Sequence, residues 1–187
     1  MKHETLARQI FKMSDTKDKV ICPPEQVFAI PNFVVSVTMG GHYVVWGDED
    51  YQKLMTLLKE IGETEFYILE NIGATLTERD IPYQTTINVN TNFSFFKEQL
   101  DSFDPPFGLM TNSFFMFGKS KNWGIYICEL PTINIIGCTK ELKDKFYTAL
   151  DIGKYDIKEI ENFVEKEFGN RTDLMKAMTE NYGLRKN

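Results

Sequence analysis

The chain has 187 residues, 42% of them hydrophobic and 26% charged, with a formal net charge of −6 and a pI near 5.1. That length can bury one sizeable core without disulfide or metal staples, and the acidic balance argues against sequence-independent nucleic-acid binding, which depends on Lys and Arg neutralising phosphates. The opening MKHETLARQIF has no apolar run ahead of a cleavage site, and no window reaches the roughly 18 uninterrupted apolar residues of a membrane-spanning helix, so a soluble, cytoplasmic protein without a membrane partner is expected.

Leu6, Ile10 and Met13 recur at helical spacing and predict a short amphipathic helix over Glu4 to Met13, ended by the mixed-charge loop Ser14 to Lys19. Cys22-Pro23-Pro24 and Pro31 favour irregular, extended chain, because proline fixes its own φ and restricts the residue before it. Phe33 to Met39 and His42 to Trp46 then read as strands about Gly40-Gly41, a pair able to supply the positive φ angles of a tight hairpin. Asp48 is expected to cap a helix whose apolar face is Tyr51, Leu54, Met55, Leu58 and Ile61, with Gly62 as its stop; Glu49 and Asp50 place negative charge at the helix start, which accounts for this acidic cluster better than a metal site does. Glu65 to Leu69 is the next strand, and the strand-helix-strand order leaves a parallel crossover open.

Thr85 to Asn90 alternates Thr86, Asn88 and Asn90 against Thr85, Ile87 and Val89, the pattern of an exposed or edge strand. Phe93, Phe96, Leu100 and Phe103 repeat at helical spacing until Asp104-Pro105-Pro106; such a stripe packs on a sheet more often than it lines a groove. The stretch Ser113 to Thr139 is the expected centre of the fold. It reads as three strands, Phe114 to Phe117, Trp123 to Leu130 and Ile133 to Gly137, joined by short turns into an antiparallel meander. In the middle strand Trp123, Ile125 and Ile127 point to one side and Tyr126 and Cys128 to the other; with both sides apolar the strand should be central and covered on each face. Gly124, lacking a side chain, marks a bulge or the close approach of another group, with aromatic packing the favoured cause.

Three helices should complete the chain. Leu142, Phe146 and Leu150 mark the first, ending near Gly153; Ile157, Ile160, Val164 and Phe168 mark the second, with Asp156 and Glu159 at capping-box spacing and Gly169 beyond it; Leu174, Met175, Met178 and Tyr182 mark the third, before Gly183. They could cover one sheet face or form a lobe of their own. The whole, residues 1–187, is thus expected to be a single α+β domain with a mainly antiparallel, conceivably mixed, sheet packed by helices and a C-terminal helical segment.

The chemistry of the sequence is mostly absence. It contains no P-loop, no GxGxxG after a strand, no HExxH and no GxSxG, and only two histidines, His3 and His42, so neither a multi-histidine metal site nor a cofactor is expected. Cys22, Cys128 and Cys138 are odd in number and lack CxxC spacing, which fits reduced thiols; Cys22 with His42 is the best nucleophile-base candidate, and nothing in the spacing joins them. Glu70 and Glu129, at the ends of expected strands, are the candidate carboxylate pair, while Trp46, Tyr67, Trp123 and Tyr126 are the candidate lining of a binding site. The sequons at Asn92 and Asn170 are assigned no role.

Three readings follow. The favoured one is a non-catalytic protein-binding module of inhibitor or immunity type, using an aromatic-centred patch. The second is a small-molecule binder or enzyme with a carboxylate and aromatic-lined pocket. The third is a structural homo-oligomer subunit pairing through the Thr85 to Asn90 edge. Binding is preferred to catalysis, without deciding it, since enzymes can place their residues on unrelated segments.

Overall fold

A computed structural model describes residues 2–14, 21–40, 47–71, 82–101, 113–154 and 156–184. At its centre the meander forms as expected: β4 (Phe114–Gly118), β5 (Trp123–Cys128) and β6 (Ile133–Cys138) pair antiparallel in sequence order. Every residue of the three strands is buried, as alternating apolar side chains on both faces require. β1 (Val34–Met39) extends the sheet beyond β6, and β2 (Glu65–Glu70) with β3 (Gln84–Asn88) extends it beyond β4, giving the order β1-β6-β5-β4-β2-β3. Among the described residues all five pairings are antiparallel, and no parallel crossover joins the described strands. Thr86 and Asn88 are exposed while Ile87 is buried, as the alternation of this border strand predicts.

Both faces are covered. On one lie α2 (Asp48–Glu60), α3 (Phe93–Asp101) and α4 (Lys143–Ala149), against Phe66, Ile68, Phe114, Met116, Trp123, Ile125, Ile127 and Ile136. This is the α2 face. On the other lie α1 (Lys2–Ala7), residues 10–14 and 21–33, α5 (Ile157–Glu167) and α6 (Thr172–Tyr182), against Tyr67, Leu69, Phe115, Phe117, Tyr126, Ile133 and Ile135. This is the α6 face. The three C-terminal helices therefore neither share a face nor form a lobe: α4 joins the α2 face, and α5 and α6 cross to the other.

Several local expectations are corrected. Asp48 is the first residue of α2 and not its cap; Gly47 occupies that position, extended and without a side-chain bond, and Asp48, Glu49 and Asp50 fill the first turn, where the helix amides favour negative charge. The N-terminal helix stops at Ala7 instead of reaching Met13. Beyond it, Lys12 N donates to Val27 O and Ala29 N to Ile10 O, while Phe11 and Phe28 form a bridge. The backbone thus gives up helical bonds for cross-chain ones, and Ile10 and Phe11 reach the sheet as a result. β1 pairs with β6; its expected hairpin partner, His42 to Trp46, lies outside the described residues. The capping box of α5 is present, with Asp156 accepting from Lys158 N at 2.7 Å and Glu159 from Asp156 N at 2.9 Å.

Gly124 and Gly137 are register partners on β5 and β6. A Cβ at Gly124 would lie 2.6 Å from the Phe11 ring, and one at Gly137 2.6 Å from the Phe28 ring. The two glycines form a shallow floor on which two stacked rings, 5.2 Å apart, rest. Close aromatic approach, not a bulge, is what Gly124 serves. From the chain's other end, Tyr182 Oη accepts from Val27 N at 3.1 Å and donates to Glu25 O, and Asn181 Nδ2 donates to Pro24 O at 2.7 Å. The segment that covers the glycines is thereby tied to α6.

Candidate functional site

The five candidate residues that are described do not converge on one site. Trp46 lies outside the described residues, as does His42. Trp123 is fully buried on the α2 face, whereas Tyr67 and Tyr126 are buried on the α6 face, so the sheet itself separates the aromatic candidates. Each has a partner for its polar atom. Tyr67 Oη donates to Glu65 at 2.6 Å, and burial followed by that carboxylate pushes the phenol up to about 12. Tyr126 Oη accepts from Asn71 Nδ2 at 3.0 Å, and burial holds its phenol well above the ordinary range.

Glu70 is the last residue of β2 and Glu129 the first beyond β5, the two strands that flank β4. Glu70, 1% exposed, accepts from Tyr83 N at 2.8 Å, so its carboxylate fastens the entry to β3. Ser113, just ahead of β4, ties both neighbourhoods together: its carbonyl accepts from Asn71 N at 2.8 Å and its Oγ from Glu129 N at 3.2 Å. Partial burial and then the Glu167 charge raise the Glu129 carboxyl above the ordinary value. Glu167 in turn accepts from Thr132 N and, at 3.1 Å, from Thr132 Oγ1.

The thiols are not activated. Burial and then the Glu25 charge push the Cys22 thiol up, and burial raises Cys128 to about 12 and Cys138 to about 11. A reactive cysteine needs the opposite shift. Cys128 and Cys138 sit on adjacent strands but on opposite faces and at opposite ends of their pairing, out of reach of a disulfide.

Two polar residues that sequence reasoning missed are deeply placed. Glu63, 7% exposed, accepts from Trp123 Nε1 at 3.1 Å, from Ser120 N at 3.3 Å and from Ser120 Oγ, closing the β4-β5 turn over the Trp123 ring. A Cβ at Gly118 would overlap both Glu63 and Trp123. Asn134 is 3% exposed in the middle of β6. Its only signal in the sequence is one amide between isoleucines in a strand apolar on both sides.

Outside the core, α2 and α4 lie side by side and leave an open groove of about 1050 Å³. Its charged lining is Asp48, Glu49, Glu60 and Asp144 against Lys53 and Lys145. Lys53 is already engaged, 3.0 Å from Glu49 of the same lining and 2.9 Å from Asp151, so Asp48, Glu60 and Asp144 stand against Lys145 alone. Among the described residues no group of three or more His, Cys, Asp or Glu side chains could hold a metal ion, and no helix is long and apolar enough to cross a membrane. No protein family, curated protein or solved structure matches the chain.

Proposed function

We propose that this chain is a non-catalytic protein-binding module whose α2-α4 face receives a basic protein. The observation that carries the reading is the groove, where Lys53 is paired with Glu49 and Asp48, Glu60 and Asp144 are left against Lys145. A net charge of −6 adds a long-range field of the same sign. Such fields raise association rates toward cationic partners and discriminate against acidic ones. The placement of Tyr67, Trp123 and Tyr126 inside the core weighs against a pocket lined by them, and the raised thiols weigh against cysteine nucleophilic catalysis.

The test is affinity capture from lysate of the protein's own source at low and physiological salt, run beside a variant carrying Asp48→Lys, Glu60→Lys and Asp144→Lys. A basic protein retained near stoichiometry by the native chain and lost by the variant is the expected result. Identical eluates from the two chains, or no retained protein at either salt, would sink the reading.

A further inference from the structure

β3 is the last strand of the sheet, and among the described residues it pairs with β2 alone. Two bonds fix which way its backbone faces: Glu70 N donates to Tyr83 O at 2.8 Å, and Val89 N donates to Thr64 O at 3.1 Å. In an antiparallel pair such orientation alternates along the strand. Thr85 and Ile87 therefore also turn their peptide groups to β2, while Gln84, Thr86 and Asn88 aim theirs outward. The Asn88 carbonyl accepts from Thr91 N at 2.9 Å, and no described strand meets the rest of this row. Native edges are blunted by charge, proline or a bulge. β3 has none of these, since it reads Gln-Thr-Thr-Ile-Asn and its register with β2 runs unbroken.

A second feature lies on the same border. α3 stands over it on the α2 face, the Phe96 ring 6.5 Å from Phe66 of β2 and the Phe93 ring 5.6 Å from Tyr51 of α2. Phe95 follows Phe93 by two residues, about 200° around the helix, and so lies on the flank away from α2. It is 52% exposed, one of the few large apolar side chains left in water. The register of the strand names what would cover both. About a two-fold axis at Thr86, antiparallel pairing sets Thr86 opposite Thr86 of a second copy and Gln84 opposite its Asn88, so each outward residue meets an outward residue. Thr85 then meets Ile87 on the α2 face. No like charges are opposed, and cross-strand threonine pairs are favourable.

We propose that two copies of this chain pair antiparallel through β3, with Thr86 on the axis, into one continuous sheet whose seam is covered on the α2 face by Phe95 of each copy. Such a contact is self-complementary and closes at two. It rests on the sheet border and not on the groove between α2 and α4, so it stands or falls apart from the basic partner. Each copy contributes a strand of 5 residues and one exposed ring, a small contact for which micromolar association is expected. Each copy also carries a charge of −6, and the resulting repulsion is screened by salt. The dimer should therefore tighten from low to physiological salt, the reverse of what a basic partner should do.

The test is sedimentation equilibrium of the purified chain from about 1 to about 300 µM at low and physiological salt, beside amide hydrogen exchange at both ends of that range. The mass should rise toward that of two chains, more steeply at physiological salt. Exchange of the Thr86 amide should slow with concentration, while that of Ile87, already turned to β2, should not change. Thr86→Lys sets two ammonium groups against each other on the axis and should raise the dimer dissociation constant at least about tenfold; Phe95→Ser should raise it about threefold or more. Both positions are exposed, and unchanged thermal unfolding of the dilute variants would show that the fold is kept. A monomer mass throughout the range at both salts would overturn the proposal. So would a dimer that Thr86→Lys leaves intact and in which Thr86 exchange does not depend on concentration, since those copies would meet through another face.

Discussion

The two faces of the sheet are covered in different ways. The α2 face is closed by three helices, each contributing an apolar stripe, with Tyr51, Leu54 and Leu58 of α2 and Phe96 and Leu100 of α3 among them. The α6 face is closed half by helices and half by irregular chain, in which Phe11 and Phe28 sit on Gly124 and Gly137 and side chains of α6, bonded to its backbone, hold the covering segment down. A helix brings its own hydrogen bonds to a core, whereas irregular chain must find them elsewhere. The α6 face should therefore depend on a few specific contacts, and the α2 face on distributed burial.

The largest expected effect tests that dependence. Phe11→Ala removes a fully buried ring and should cost about 3–5 kcal/mol in denaturant unfolding. Gly124→Ala alone should cost about 1–3 kcal/mol through overpacking against the same ring. In the double variant the added methyl enters space the ring has left, so the second cost should shrink or change sign. Additive losses would show that Phe11 and Gly124 do not share one contact, and the contrast between the faces would lose its main support.

Glu63 sharpens the comparison from the other side, as the polar seam of the α2 face. Glu63→Ala strands Trp123 Nε1 in the core, while the Ser120 donors turn to water, and should cost about 1–3 kcal/mol; Glu63→Gln keeps an acceptor and should cost less than about 1 kcal/mol. Equal losses would mean that the carboxylate's packing, not its acceptor role, closes the turn.

The same contrast governs what the sequence discloses. Periodicity reports an amphipathic helix from local spacing alone, so α2, α3 and all three C-terminal helices are legible, as is the alternation that places Trp123 and Tyr126 on opposite faces. The cover of the α6 face depends on residues far apart in the chain, as in Phe11 with Phe28 and Tyr182 with Val27, and local spacing carries no trace of those pairings. Gly124 gives the approach of a ring but not its identity. The candidate sites fare worst. Tyr67, Trp123 and Tyr126 attract attention as large aromatics, which are equally the residues a core needs, while Asn134 stands out only once its neighbours in space are known.

The two strand cysteines carry the comparison to alkaline pH. Both thiols are raised, Cys128 on the α6 face to about 12 and Cys138 on the α2 face to about 11, with burial dominant in each and Lys143 pulling Cys138 back down. The folded chain therefore holds these protons more tightly than the unfolded one. Their contribution to stability is complete below pH 9, the ordinary thiol value, and is lost as pH rises from there toward 11 for Cys138 and toward 12 for Cys128. The slope is at most about 1.4 kcal/mol per pH unit for each proton. Unfolding measured between pH 8 and 10.5 should show this decline, and Cys128→Ala and Cys138→Ala should each flatten it. An unchanged slope in either variant would show that its thiol titrates alike in the folded and unfolded chain.

Glu129 offers the smallest effect, at the seam where the β5-β6 turn meets the end of α5. Its carboxyl is raised by partial burial and by Glu167, so the folded chain favours its protonated form. That preference stabilises the fold below the ordinary carboxylate value and disappears as pH rises through the raised one, leaving at neutral pH a half-buried charge facing another of its own sign. Glu129→Gln should accordingly raise Tm by about 1–2 °C at pH 7, with the gain fading as both chains become neutral at this position near pH 4. The mutation leaves the Glu129 backbone N–H free to keep its bond to Ser113. A lower Tm at pH 7 would therefore point to the carboxylate itself as an acceptor that holds this turn, and would move Glu129 from the repelled partner of Glu167 to a brace of the α6 face.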